Sequence, residues 1–211
     1  MSIYAPVRTT MLNLLSSPRL STYSGACAGD LDRAVALYRW NLNASLAMFS
    51  SIHYFEVALR NTMHDALTRH FGTRSMAWYE RPGLLSPGSL SKIRQAESAV
   101  RANGHTVTVD RVVAELPLGF WCSLLANSYN RSLWQPCLSQ VFRNTRRQRL
   151  FDEIDAIRKL RNRIAHWEPV IALDLTAEYT RIVDTAERIN HRLAWWIDAT
   201  STIGAVLEQR P

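Results

Sequence analysis

Arg158-Lys159-Leu160-Arg161-Asn162-Arg163-Ile164-Ala165-His166-Trp167-Glu168-Pro169 closes a helical pattern that opens near Arg149. Leu150, Ile154, Ile157 and Ile164 recur at steps of three, four and seven residues and define one apolar face. Pro169 stops the pattern and forces Glu168 out of helical geometry. At roughly 100° per residue, Arg161 falls within the apolar face. An arginine there needs a partner, a cleft or a subunit interface. Asn162 and His166 are spaced i, i+4 and share a neighbouring side, whereas Arg161 and His166 point roughly 140° apart on an ideal helix. One regular helix therefore cannot aim both at one phosphate. Either the helix distorts near Ala165, or two copies of the stretch meet in a dimer.

The residue types define the chemistry available. A histidine can take a proton from a ribose 2′-hydroxyl and later return one, while arginine stabilises charge on a scissile phosphate. Asn162 can orient the imidazole or the phosphate, and a place at a helix C-terminus suits the acid role of His166. The chemistry needs no metal or other cofactor, and the sequence offers no convincing ligand set. His53, His64 and His70 lack HExxH spacing and carboxylate support, and read as surface or core residues. The competing interpretation is a helix-end histidine capping carbonyls beside a surface salt bridge.

The whole 211-residue chain carries a formal net charge of +7, and 23 of its 25 basic residues are arginine. Arginine grips phosphate in a planar fork, so this balance points towards nucleic acid. An apolar fraction of 47% suits a globular protein rather than a disordered one. Three cysteines, Cys27, Cys122 and Cys137, form neither a disulfide framework nor a CxxC pair, and fit a reducing cytoplasm. Met11-Leu12-Asn13-Leu14-Leu15 is too short and interrupted for a signal-peptide core, and no window is apolar enough to span a bilayer. The expectation is a soluble cytoplasmic protein with no membrane partner.

Punctuation divides the chain into an irregular lead-in over 1–28, a single domain over 29–198 that reads mainly as helices and a polar tail over 199–211. Asp30 caps a helix carrying Leu31, Ala34, Val35, Tyr38 and Leu42, and a second helix runs from about Ser45 to Arg69, closed by Gly72. Within the second, Glu56 and Arg60 stand one turn apart, where they can pair, and Asn61 follows. Ser89 caps a helix over about Leu90–Ala102. Thr106–Val109 alternates like a short strand, although Thr108 or Asp110 can instead cap a turn over Val112–Leu116. Leu118–Leu125 is apolar nearly all round and reads as core. A basic run at Arg143, Arg146, Arg147 and Arg149 leads into the opening stretch, and one last helix from Asp174 or Thr176 reaches about Asp198.

Arg161-Asn162-Arg163-Ile164-Ala165-His166 resembles the Arg-(polar)-x-x-x-His signature of HEPN-superfamily ribonucleases. Ser17–Tyr23, Ala36–Asn41, Glu56–Asn61, Leu116–Trp121 and His166–Pro169 further resemble the Abi-like (AbiD/AbiF-type) abortive-infection branch, so the similarity covers most of residues 17–198. The resemblance implies an all-α HEPN-type helical bundle with additional helices. It also implies a metal-independent endoribonuclease of a bacterial phage-defence system, acting as a homodimer and leaving 2′,3′-cyclic phosphate ends. Arg161, Asn162 and His166 then match the catalytic positions, with Glu56, Arg60 and Asn61 as site support. Arg143, Arg146, Arg147, Arg158, Lys159 and Arg163 are expected to contact RNA, and an antitoxin protein or RNA is the implied restraint. A non-catalytic RNA- or nucleotide-binding module and a structural dimerisation domain are the alternatives.

Overall fold

The computed structural model describes residue 10 and residues 13–211, with the backbone alone for Ser17. The start of the lead-in, including Pro6, Met11 and Leu12, lies outside the described residues. Among the described residues the fold is all-α, without a strand. None of these helices is long and apolar enough to cross a membrane.

Helix α1 (Ser17–Ala26) occupies part of the lead-in expected to be irregular, and Pro18 fits its first turn. It packs on α2 (Leu31–Phe71), a single helix of 41 residues where two were expected. No proline or glycine interrupts α2, and Ser45, which reads as a boundary in the sequence, is buried within it. Ala44, Ala47 and Ser51 are buried beside it, so this part of the helix is small-faced and admits close neighbours. Asp30 Oδ1 accepts from the Asp32 and Arg33 amides at 3.0 and 3.1 Å. At the other end, a Cβ on Gly72 would lie 2.6 Å from the Thr68 carbonyl oxygen, so only glycine fits the exit.

Helix α3 (Pro87–Ala102) is capped by Ser86 rather than Ser89, because Pro87 takes the first helical position. Ser89 is buried instead, 2.9 Å from the Tyr129 hydroxyl. Thr108 caps α4 (Val109–Glu115), accepting from the Arg111 amide, which takes this segment away from a strand. Helix α5 (Leu118–Ser123) follows Pro117 and buries Leu118, Phe120 and Trp121. Short turns bury Leu133, Trp134 and Leu138 before α6 (Arg147–Ala165), the helix of the opening stretch. A Cβ on Gly119 would meet Arg158 Cδ at 3.4 Å, an ordinary contact, so α5 packs against α6 without requiring glycine there.

The expected last helix is two. Asn190 adopts an extended conformation between α7 (Leu175–Ile189) and α8 (His191–Thr200), and its side chain accepts from the Arg192 amide at 2.8 Å. A further helix, α9 (Ile203–Glu208), forms in the stretch read as a polar tail. The Trp40 indole donates to the Val206 carbonyl at 2.7 Å, and Arg210 lies over the Trp40 ring, fastening that stretch to α2. One hydrophobic cluster takes in residues from Leu20 to Ile203, with α2 through its middle.

Candidate functional site

Helix α6 buries Leu150, Ile154, Ile157, Leu160 and Ile164 and continues as an α-helix to Ala165. The helix ends where a break was expected, with Arg161 inside its regular part and His166 just beyond it. His166 is the C-cap, and the helix closes in a Schellman motif: Trp167 N–H donates to Ile164 O and Glu168 N–H to Arg163 O, each at 2.9 Å. Trp167 takes the left-handed position at φ 57°, which glycine usually fills. Two contacts fix the chain beyond it. Arg163 Nη1 donates to the Pro169 carbonyl at 2.9 Å, and the buried Asn41 Oδ1 on α2 accepts from the Val170 amide at 2.7 Å.

Arg161 leaves α6 on the side facing α2. Its Nε lies 3.6 Å from Glu56 Oε2, within Coulombic reach but too long for a hydrogen bond, and that Nε is sealed from solvent without a hydrogen-bond partner. Glu56 Oε1 accepts from the Leu118 amide at 3.1 Å, so one carboxylate caps the start of α5 and faces Arg161. The expected Glu56–Arg60 pair is therefore replaced. Arg60 donates to Asn61 Oδ1 at 3.2 Å and to the Ala114 carbonyl at 3.4 Å. Arg161, Glu56 and Arg60 then line one cleft of about 170 Å³ with Phe49, His53, Val57, Ala114 and Leu116. Two guanidiniums and an imidazole share this cleft with a single carboxylate, a balance suited to an anion.

His166 is exposed and does not line the cleft. Asn162 offers it the backbone carbonyl, which accepts the His166 amide at 2.9 Å. Of the three motif residues, a single chain brings only Arg161 into the cleft. His53, read from the sequence as a surface or core residue, is exposed and lines the cleft. It carries no motif of its own, but it stands one turn before Glu56 on an unbroken helix, and that spacing was the available signal.

The basic residues expected to contact RNA divide into two groups. Arg147 is drawn inward, donating to the Leu125 carbonyl at 2.6 Å and to Asn127 and Gln148. Arg158 and Lys159 both pair with Asp155, at 2.7 and 2.8 Å. Burial pushes the Asp155 carboxyl up, but hydrogen bonds from Lys159 and Arg158 outweigh it and hold the group below the usual carboxylate range. Arg163 belongs to the clamp on Pro169. Arg143 and Arg146 are exposed. Among the described residues no three His, Cys, Asp or Glu side chains gather as a metal site. The three cysteines are free and buried, and burial pushes the Cys122 thiol up to about 11, far from a reactive thiolate.

Comparison of the chain with family models, curated proteins and solved structures found no match.

Proposed function

We propose that the chain is a metal-independent endoribonuclease of the abortive-infection type, acting in the cytoplasm as a homodimer on RNA, with an antitoxin protein or RNA as its restraint. The cleft of Arg161 carries this reading: two guanidiniums and an imidazole beside one carboxylate make a seat for a phosphodiester. Arg161 neutralises charge building on the non-bridging oxygens as the 2′-oxygen attacks phosphorus. Glu56 holds Arg161 in place by charge without consuming its donors, and Arg60 adds a second positive group. His166 supplies the proton that the 5′-oxygen takes as it leaves, and the product keeps a 2′,3′-cyclic phosphate.

His166 of the same chain is exposed and does not line the Arg161 cleft, which supports a site completed by a second copy. Leu42, Leu46 and Phe49 stand exposed in a row on α2, and Phe49 itself lines the cleft, which offers a face for that copy.

Brief expression followed by sequencing of RNA ends should reveal cuts with cyclic phosphate ends, and His166→Ala should abolish them while leaving RNA binding intact. Wild-type cleavage should survive a chelator. Cleavage by a well-purified His166→Ala protein would sink the assignment. Mixing His166→Ala with Arg161→Ala should restore about a quarter of wild-type activity, because a random mixture is half heterodimer and each heterodimer has one intact site. Heterodimers without activity would place the whole site in one chain.

A further inference from the structure

RNA transesterification moves two protons at opposite ends of the phosphorus: one leaves the 2′-hydroxyl and one joins the 5′-oxygen. The motif provides a single histidine. From the cleft geometry we infer that His53 is the second proton-transfer group, the general base that takes the 2′-hydroxyl proton. The assignment rests on the ribonuclease reading above.

Of the six histidines in the chain, His53 alone lines the cleft with Arg60, Glu56 and Arg161. Its imidazole is exposed, whereas its backbone is held by Ile52 and Phe55, both fully buried on the central helix. The ring is thus presented by a rigid support and remains open to a ligand, as a group transferring protons must be. The other histidines are placed differently. His64 accepts the Trp78 indole N–H at 3.1 Å, and His70 sits edge-on to Phe71 at the end of α2. His166, at the helix C-terminus, holds the acid role, which leaves the base role to the imidazole beside the guanidiniums. In the balanced step, the 2′-O–H proton passes to a His53 ring nitrogen and the 2′-oxygen bonds to phosphorus. The P–O5′ bond then breaks, and the 5′-oxygen takes its proton from the imidazolium of His166. A solvated surface histidine would share the position but not this chemistry.

The test uses an oligoribonucleotide carrying the cleavage site mapped in cells, and the same oligonucleotide with sulfur replacing the bridging 5′-oxygen. A thiolate leaves without a proton, so the sulfur substrate no longer needs the acid but still needs the base. His53→Ala and His53→Gln should lower kcat by at least about 100-fold, in the range for loss of a general base, with KM changed less than about threefold. Both should bind the oligonucleotide as wild type does and lose the acidic limb of the pH–rate profile. The sulfur substrate should rescue His166→Ala and leave His53→Ala impaired. His53→Ala should also complement His166→Ala in mixed dimers but fail to complement Arg161→Ala, since His53 and Arg161 share one cleft. Unchanged kcat, a defect confined to KM, a retained acidic limb, or equal rescue of both histidine variants would each overturn the role of His53. A wild-type protein that cuts no RNA, or a fully active His166→Ala, would instead remove the ribonuclease reading itself, and this assignment with it.

Discussion

Asn41 and Glu56 have similar duties on α2, each reaching across to the backbone of another segment. Asn41 Oδ1 receives the Val170 amide, and both residues are buried, so the bond has no replacement from water. Asn41→Ala would leave that amide without an acceptor, at a cost of about 1–3 kcal/mol. The urea midpoint should fall accordingly. Because Val170 lies four residues beyond His166, cleavage should fall more than the lost stability explains. A variant with an unchanged midpoint would show that the clamp contributes nothing. Glu56 is divided between the Leu118 amide and Arg161, so Glu56→Gln separates the two functions. The amide oxygen still accepts from Leu118, and Arg161 loses its countercharge. Thermal stability should fall by no more than about 1 kcal/mol, as for the loss of a partly exposed ion pair. Cleavage should drop as Arg161 loses its orientation.

At the scale of elements, the stops written in covalent geometry were legible and those written in packing were not. Asp30, Gly72, Thr108, Pro117 and Asp174 bound helices as their side-chain chemistry dictates. Ser45 and Asn190 defeated the same reasoning in opposite directions. A serine is helix-neutral when its neighbours bury it, whereas Asn190 ends α7 by capping α8 inside an unbroken apolar period. The candidate site was legible as far as Arg161 and Glu56. Arg60's partners and the place of His53 depend on how α2 crosses α4 and α6, which no local pattern encodes. Tertiary contact also creates a pH dependence. Burial holds the His64 imidazole below its ordinary value of 6.5, with Arg60 acting in the same direction and Asp65 and Asp110 opposing it. The Trp78 indole donates to Nδ1, a bond that only the ring with unprotonated Nδ1 can accept. The folded value is the depressed one, so below 6.5 the unfolded chain binds the extra proton more readily. Stability from this site is complete above 6.5, falls as pH drops towards the folded value and is lost below it. The urea midpoint should decline from pH 7 to pH 5 in wild type. His64→Gln, whose amide oxygen accepts the same indole, should lack that part of the decline. Equal declines would detach the pH response from this pair.

For the whole molecule, the question is what covers the row of Leu42, Leu46 and Phe49. Single exposed apolar side chains are ordinary on a protein surface, but these three recur at steps of four and three residues on a rigid helix. Leu46 is 54% exposed and Phe49 is 37% exposed, while Met48 and Ile52 between and beyond them are fully buried. The row can therefore be changed without touching the core. A stable dimer needs roughly 800 Å² from each partner, with an apolar centre that excludes charge. Leu42→Glu with Leu46→Glu, neither of which lines the Arg161 cleft, places two carboxylates in that row and sets each against its symmetry mate across an isologous interface. The double variant should keep its helical content and melting temperature, and should sediment as a monomer where wild type sediments as a dimer. Cleavage should be lost with the dimer, because His166 can no longer reach the Arg161 cleft of another copy. Wild-type specific activity should fall on dilution through the same transition. A double variant that stays dimeric would move the interface elsewhere on the surface. One that turns monomeric yet cleaves RNA at the wild-type rate would return the whole site to a single chain, where His53 and Arg161 already stand in one cleft.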